Sequence, residues 1–547
     1  MQKINSPKKN GFRYKSSTAI NKLNIYEKEI NSGLSGRAAA KKSGIPRSTL
    51  RDFARVNENN FDIKVIEFIR SYEGFNFLHR LFVTMMLQFV IPGSCGIRQF
   101  CTWLEISGLS NFIAGSYGTW REFILNMEEK ILTFEKAERK ILSKDMPEKK
   151  ISLVADETFF NEMCLVGIEP ISNFILVEKY SEKRDAESWY NCITSNNADL
   201  NVKIVQIVGD QASGIISLAK NMFSSHYATD LFHVQREICK AGSLKIASKV
   251  NVAEENFEKQ TKNLEKIKNL KTELDIAKKS TEKIDLKIKD EAKKLKNFQT
   301  ISDESKELQK KFNESLLGIS SALHPINKDT GIRKGVSLIE AEVNTCFDEI
   351  RKIFSEINLN DKSYAYFEKA ERAIPYLLSS VKFFCTSVHE IVKELKLTKE
   401  QEYIFHSNLV PAAYLRRISK QEKQDEKIKM MNRADEIEKK ALELFSEWQK
   451  SNILRSAKDA ANMYQRSSSV VEGRNSSLSL KNHAMKKLTA KKLSILTIIQ
   501  NYYVKDNDGT TAAERFFNKP HSNLAEYLIG NVLPAPRAYY KSKEKIN

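Results

Sequence analysis

From Ile151 onward the chain alternates short β-branched runs with polar breaks. ISLVAD, EMCLVGIEP and ISNFILVEKYS come first, and VKIVQIVGD follows after a helix-length stretch through Trp189 and Tyr190. Short apolar runs bounded by Gly, Pro and Asn are the pattern of a sheet. The first three lie close enough for hairpin-like pairing, whereas the fourth is reached by a crossover. The pattern therefore predicts a mixed sheet with a parallel pair at its centre, and places Asp156 and Asp210 at the ends of neighbouring strands. QASGIISLAKNMF then predicts a helix, and HYATDLFHVQREI a further strand or a strand-to-helix passage.

On both sides of this stretch the apolar period is helical. NKLNIYEKEINSG, LSGRAAAKKSG and IPRSTLRDFARV predict three short helices divided by Gly33 and Gly44, the outline of a helix-turn-helix. Its last helix would present Arg47, Ser48, Thr49 and Arg51 to a major groove while Leu50 and Phe53 pack inward. Residues 250–315 contain no Gly or Pro and are dense in Lys, Glu and Leu, the composition of a long surface helix or coiled coil. Leu264, Ile267, Leu270 and Leu274 keep helical spacing, but the heptad is irregular, so an intramolecular antiparallel hairpin is as consistent as a dimer zipper.

These periods divide the chain into a basic arm with a helix-turn-helix (1–60) and a helical connector (61–150). A first part of a sheet core (151–240), a helical or coiled-coil insertion (241–460), a second part of the core (461–505) and a C-terminal tail (506–547) follow. The fold class expected is an α/β mixed-sheet core with a large all-α insertion, preceded by an all-α module.

Charge narrows the class of partner. The chain has 547 residues, with 88 Lys and Arg against 69 Asp and Glu, a formal +19. Residues 1–55 hold 13 basic and 3 acidic residues, so +10 of that excess lies in the first tenth. Such a balance favours a polyanion through counterion release, and nucleic acid above all. Seven scattered cysteines without a C-x-x-C pair point to a reducing compartment and away from a zinc ribbon. The longest apolar run, Leu81 to Ile91, is too short to span a bilayer. The expectation is a cytoplasmic, nucleoid-associated protein with no membrane partner.

Three acids stand out by setting: Asp156 at the end of ISLVAD, Asp210 at the end of VKIVQIVGD, and Glu472 in SSSVVEGRNSSL. Carboxylates inward of apolar strands are costly unless they meet cations. Hard oxygen ligands of this kind hold two Mg²⁺ ions about 3.5–4 Å apart in phosphodiester-cleaving sites. The same residues also fit solvated strand-end acids. Trp189 fits a base-stacking role and, more simply, a crossover helix packed on the sheet. His79 reads as a core histidine, and His226, His233 and Cys239 are loosely spaced for zinc. Ser467, Ser468 and Ser469 have no partnered base, and no G-x-x-x-x-G-K-[ST] motif occurs.

The set ADETFF, IVGDQASG, DLFHVQRE, SSSVVEGRNSSL and DGTTAAERFF resembles that of DDE transposases of bacterial insertion sequences. The resemblance covers most of the chain after Ile151. It implies an RNase H-like core with a helical insertion between the second Asp and the Glu, and Asp156, Asp210 and Glu472 as the catalytic, metal-binding triad. It implies Mg²⁺ as cofactor, with Mn²⁺ substituting. Asp230 and His233 are similar to the D-x-x-H that several such families carry near the active site, which adds His233 to the catalytic set. Ser479 and Lys481 depart from the Arg-rich helix of many relatives. The implied function is binding of double-stranded terminal repeats, hydrolysis at the element end and strand transfer into target DNA, by a homodimer or larger assembly. Two alternatives stand beside it: an inactive or repurposed DNA-binding protein on the same fold, and a coiled-coil interaction protein.

Overall fold

The computed structural model describes residues 16–50, 63–160, 162–277, 280, 282–485 and 487–534. Among the described residues one five-stranded sheet is formed by β1 (Lys149–Phe159), β2 (Met163–Glu169), β3 (Phe174–Tyr180), β4 (Val202–Gly209) and β5 (His226–Thr229), in the order β3-β2-β1-β4-β5. β2 is antiparallel to β1 and β3, while β4 is parallel to β1 and β5. The mixed sheet expected from Ile151 onward is thus present, with the parallel pair at its centre. The crossover between β3 and β4 is the helix Ala186–Asn196, capped by Asp185 accepting from Ser188 N at 2.8 Å.

Alternation along the strands divides two cores. Leu153, Ala155, Leu165 and Ile207 face one side, where they join Trp189 and the helix Tyr117–Ser143 through Phe134 and Leu142. Val154, Val166, Val208 and Ala228 face the other, beneath Val471 and Leu478 of the helix Ser469–Met485. The helix Ala490–Tyr502 packs along β3 and feeds both cores, Leu493 and Leu496 on one side and Ile495 and Ile499 on the other. Residues 63–143 therefore share a core with the sheet. So does the described part of the stretch read as a tail: Phe516 of the helix Ala512–Phe517 stacks on Phe174 with ring centroids 4.5 Å apart.

The helical insertion opens with two long helices, Leu231–Ile276 and Glu282–Ala322, paired as an antiparallel hairpin. Cross-links run from Lys306 to Glu254 (2.8 Å) and from Asn263 to Glu291 (3.2 Å), with Lys271 and Asp285 near the tip (2.5 Å). Irregular heptads suit this partner, since an intramolecular hairpin needs no long continuous seam. Helices from Val336 to Asn462 complete a further apolar core around Val343, Phe347, Phe384 and Tyr414. The insertion enters and leaves at one point, where Leu231 N donates to the carbonyl of Arg466 at 2.9 Å.

At the N-terminus the helices Ser16–Asn31 and Gly36–Ser43 pack through Leu23, Ala39 and Ala40. Gly44 ends the second in the left-handed region (φ 74°), which a side chain would resist. Residues 47–50 are helical, with Leu50 buried, Arg47 and Ser48 exposed and Thr49 half-buried. Arg51 and Phe53 lie outside the described residues. Among the described residues no helix is long and apolar enough to cross a membrane.

Candidate active site

The parallel register aligns Val154 of β1 with Val208 of β4, and both face the core beneath the helix Ser469–Met485. Two residues further along, the period of two returns Asp156 to that face. Asp210, also two residues on, follows the last residue of β4. The expectation that both acids end strands needs correction for Asp156, because β1 continues to Phe159 by pairing with β2 as far as Met163. Asp156 is therefore held within a strand. Gly209 permits the close approach here: a Cβ on it would lie 3.0 Å from the carbonyl oxygen of Ala155. Asp210 is fixed by its own turn, Oδ1 accepting from Ala212 N at 3.0 Å, and by the Tyr227 hydroxyl, which donates to its carbonyl at 2.6 Å.

Glu472 sits in the first turn of the helix Ser469–Met485. Val471 and Leu478 bury beneath that helix, and two polar contacts set its position. Arg474 reaches Glu178 of β3 with Nε to Oε1 at 2.7 Å and Nη2 to Oε2 at 2.6 Å, and Thr497 adds a hydroxyl donor to the same carboxylate at 2.6 Å. Asn475 donates from Nδ2 to Asp156 Oδ2 at 2.9 Å. Burial pushes the Asp156 carboxyl up to about 7, with the Glu472 charge adding to the rise and His233 opposing it.

His233, in the first turn of the helix that opens the insertion, meets Asp230 through Nδ1 to Oδ2 at 2.6 Å. Asp230 is fully buried and also accepts from Phe232 N (3.0 Å), Ser468 N (3.0 Å) and Ser468 Oγ (2.5 Å). Burial alone would raise its carboxyl, but the bonds from His233 and Ser468 outweigh it and hold the group below its ordinary value. His233 is raised, first by its bond to Asp230 and further by the charges of Asp156 and Asp210, against a lowering by burial. Ser468 thereby links the start of the Glu472 helix to the start of the insertion.

Asp156, Asp210, Glu472 and His233 are thus gathered into one electrostatic neighbourhood, although among the described residues no three His, Cys, Asp or Glu side chains form a ready metal cage. Arg47, Ser48 and Thr49 belong to the N-terminal helices instead. One acid escaped the sequence reading. Glu157 lies on the opposite face of β1, accepts from Trp189 Nε1 at 3.3 Å, and is raised by burial and by Asp210 against the pull of Trp189 and Arg184. Its position in ADETFF was visible, but only the strand's alternation separates it from Asp156. Trp189 is fully buried on the sheet, and the His79 ring bonds the Ile529 carbonyl at 3.0 Å in the core. His226 stacks on Phe383 rather than joining His233 or Cys239.

A family model described as a family of unknown function (DUF6399) matches residues 405–544, a stretch that includes Glu472, Arg474 and Asn475. No curated protein and no solved structure matches the chain.

Proposed function

We propose that this chain is a DDE-type DNA transposase with an RNase H-like core, in which Asp156, Asp210 and Glu472 form a divalent-cation site. The observation that carries the reading is the sheet order β3-β2-β1-β4-β5, with Asp156 in β1 beneath the helix that bears Glu472 and Asp210 directly after the end of the adjacent parallel β4. The donor set fits Mg²⁺ or Mn²⁺: all three groups are hard carboxylate oxygens. The crowding fits as well, since Asp156 is raised by burial and by Glu472, a cost that a cation relieves. A bound divalent cation supplies positive charge to the attacking and leaving oxygens of a phosphodiester in in-line displacement.

The chain's own residues do the rest. Asp230 fixes the His233 ring through Nδ1 and leaves the other ring nitrogen for substrate, so His233 would meet a phosphate oxygen next to Asp156 and Asp210. Arg474 and Asn475 hold the Glu472 helix on the sheet. The N-terminal segment that carries Arg47, Ser48, Thr49 and Arg51 would bind the terminal repeats of double-stranded DNA, and the overall positive charge would add backbone affinity. Joining two ends requires two active sites, so the working form is a homodimer or larger assembly on DNA.

The test is cleavage of a labelled duplex carrying the element's flanking ends, with Mg²⁺ or Mn²⁺. Wild type is expected to nick at the ends, while Asp156→Ala, Asp210→Ala and Glu472→Ala bind without cutting. Wild type that binds but never cuts in either metal would overturn the reading in favour of a repurposed DNA-binding scaffold.

A further inference from the structure

Asn475 has a bonding pattern that the three acids do not account for. It follows Glu472 by three residues, so both side chains leave the same face of one helix. It is only 9% exposed. Its Nδ2 donates to Asp156 Oδ2 at 2.9 Å, whereas its Oδ1 is buried with no hydrogen-bond partner. An ionised carboxylate only accepts, so the amide turns its nitrogen towards Asp156 whenever that group is charged, as it is beside a cation. A buried amide oxygen without a partner is a cost that folded proteins rarely carry without a use. An amide oxygen is also a neutral hard donor of the kind that completes carboxylate cation sites.

We propose that Asn475 completes the cation site, its amide nitrogen orienting Asp156 and its amide oxygen serving as a fourth protein ligand beside Asp156, Asp210 and Glu472. The proposal rests on the reading of those acids as a cation site. The two functions of one amide explain both halves of its bonding: the nitrogen is used by the protein and the oxygen waits for the ion. They also explain the helix position. Glu472 and Asn475 approach the site together, so fastening the helix through Arg474 and Glu178 sets two ligands at once.

The test is calorimetric titration of the full chain with MnCl₂, comparing wild type, Asp156→Asn, Asn475→Leu and Asn475→Asp. Leucine removes both donor and acceptor, whereas aspartate keeps an oxygen and loses the donor to Asp156. The expected result is at least a roughly tenfold loss of Mn²⁺ affinity in Asn475→Leu, the scale of a lost supporting contact or ligand. Asn475→Asp is expected to bind at least as tightly as wild type, with a thermal midpoint that rises further on Mn²⁺ addition. That thermal comparison also covers a leucine variant that fails to fold. Wild-type affinity in Asn475→Leu, or equal losses in both variants, overturns the ligand role while the loss in Asp156→Asn leaves the acids' reading intact. No saturable Mn²⁺ binding by wild type, or binding unchanged in Asp156→Asn, overturns that reading and this proposal with it.

Discussion

Arg474 and Glu178 form a two-pronged ion pair whose side chains are 6% and 0% exposed, and it fastens the helix of Glu472 to β3. β3 is an edge strand, two strands away from Asp156. The pair and the Asn475 bond therefore grip the helix at separate points across the sheet.

Removing one partner leaves a buried charge uncompensated, which costs about 3–5 kcal/mol. Arg474→Met is thus expected to lower stability by that order, and Glu178→Gln to do so less, because Thr497 still donates to the remaining amide oxygen. The double variant should recover much of the loss. A double-mutant cycle on thermal unfolding midpoints measures this, and additive losses would refute the coupling.

Asp156 carries a pH dependence of definite sign. Its carboxyl is raised from 3.8 to about 7 in the folded chain, so between those values the folded state keeps a proton that the unfolded state gives up. Cation-free stability should fall as pH rises through that window. Asp156→Asn is expected to flatten the fall and to be more stable than wild type at pH 8 without metal. Thermal midpoints across pH 4–8 check it; a parallel fall in the variant would assign the slope to other groups.

The sheet was legible because its strands are short β-branched runs, and the Asp156–Asp210 adjacency followed from a helix-length crossover between two of them. Glu472 is different. It lies 262 residues after Asp210; its Ser-rich setting singled it out, but no local pattern places it beside the two Asp residues, and its place in a triad is what the resemblance implied. What brings it back is the Leu231–Arg466 junction and the Ser468–Asp230 bonds, contacts between residues whose types alone suggest no partners. Glu157 and Asn475 were hidden for a related reason: one depends on which way a strand alternates, the other on which face of a helix meets the sheet. The helix Ala512–Phe517 is too short for a periodic signal, so its docking through Phe516 on Phe174 was not visible in the residues around it.

The Asp230–His233 pair predicts a second pH effect of its own. A raised histidine contributes stability that is fully present below about 6.5 and lost as pH rises through its folded value. Asp230→Asn would turn an amide donor towards one of four existing donors and remove the charge. The His233 resonance, assigned by its absence in His233→Gln, should titrate lower in Asp230→Asn than in wild type. An unchanged titration would show that Asp156 and Asp210, rather than Asp230, set the ring's charge.

The N-terminal helices make a separable prediction. Arg47 is exposed, and its guanidinium passes beside Gly36, 3.1 Å from where a Cβ would stand. If it contacts phosphate, Arg47→Ala should weaken duplex binding and lower the slope of log affinity against log salt by about 1. Gly36→Val should displace the same side chain and weaken binding in the same way. Fluorescence anisotropy over a salt series decides between this and an unaltered slope, which would place the phosphate contacts elsewhere.

His226 on β5 stacks on Phe383 of the insertion with ring centroids 4.5 Å apart and planes within 5°, and its Nε2 is buried without a partner. Burial first, and the Lys220 charge second, lower it to about 4. The unfolded chain takes up this proton near 6.5 and the folded chain only near 4, so the neutral ring contributes stability above 6.5 that is lost as pH falls through this window. His226→Phe keeps the stack and removes both the titration and the orphan nitrogen. It is therefore expected to match or exceed wild type at pH 7 and to exceed it further at pH 5, by on the order of 1 kcal/mol. Unfolding followed at the two pH values checks this, and a variant that loses stability equally at both would show that the histidine is held for a contact other than its stack.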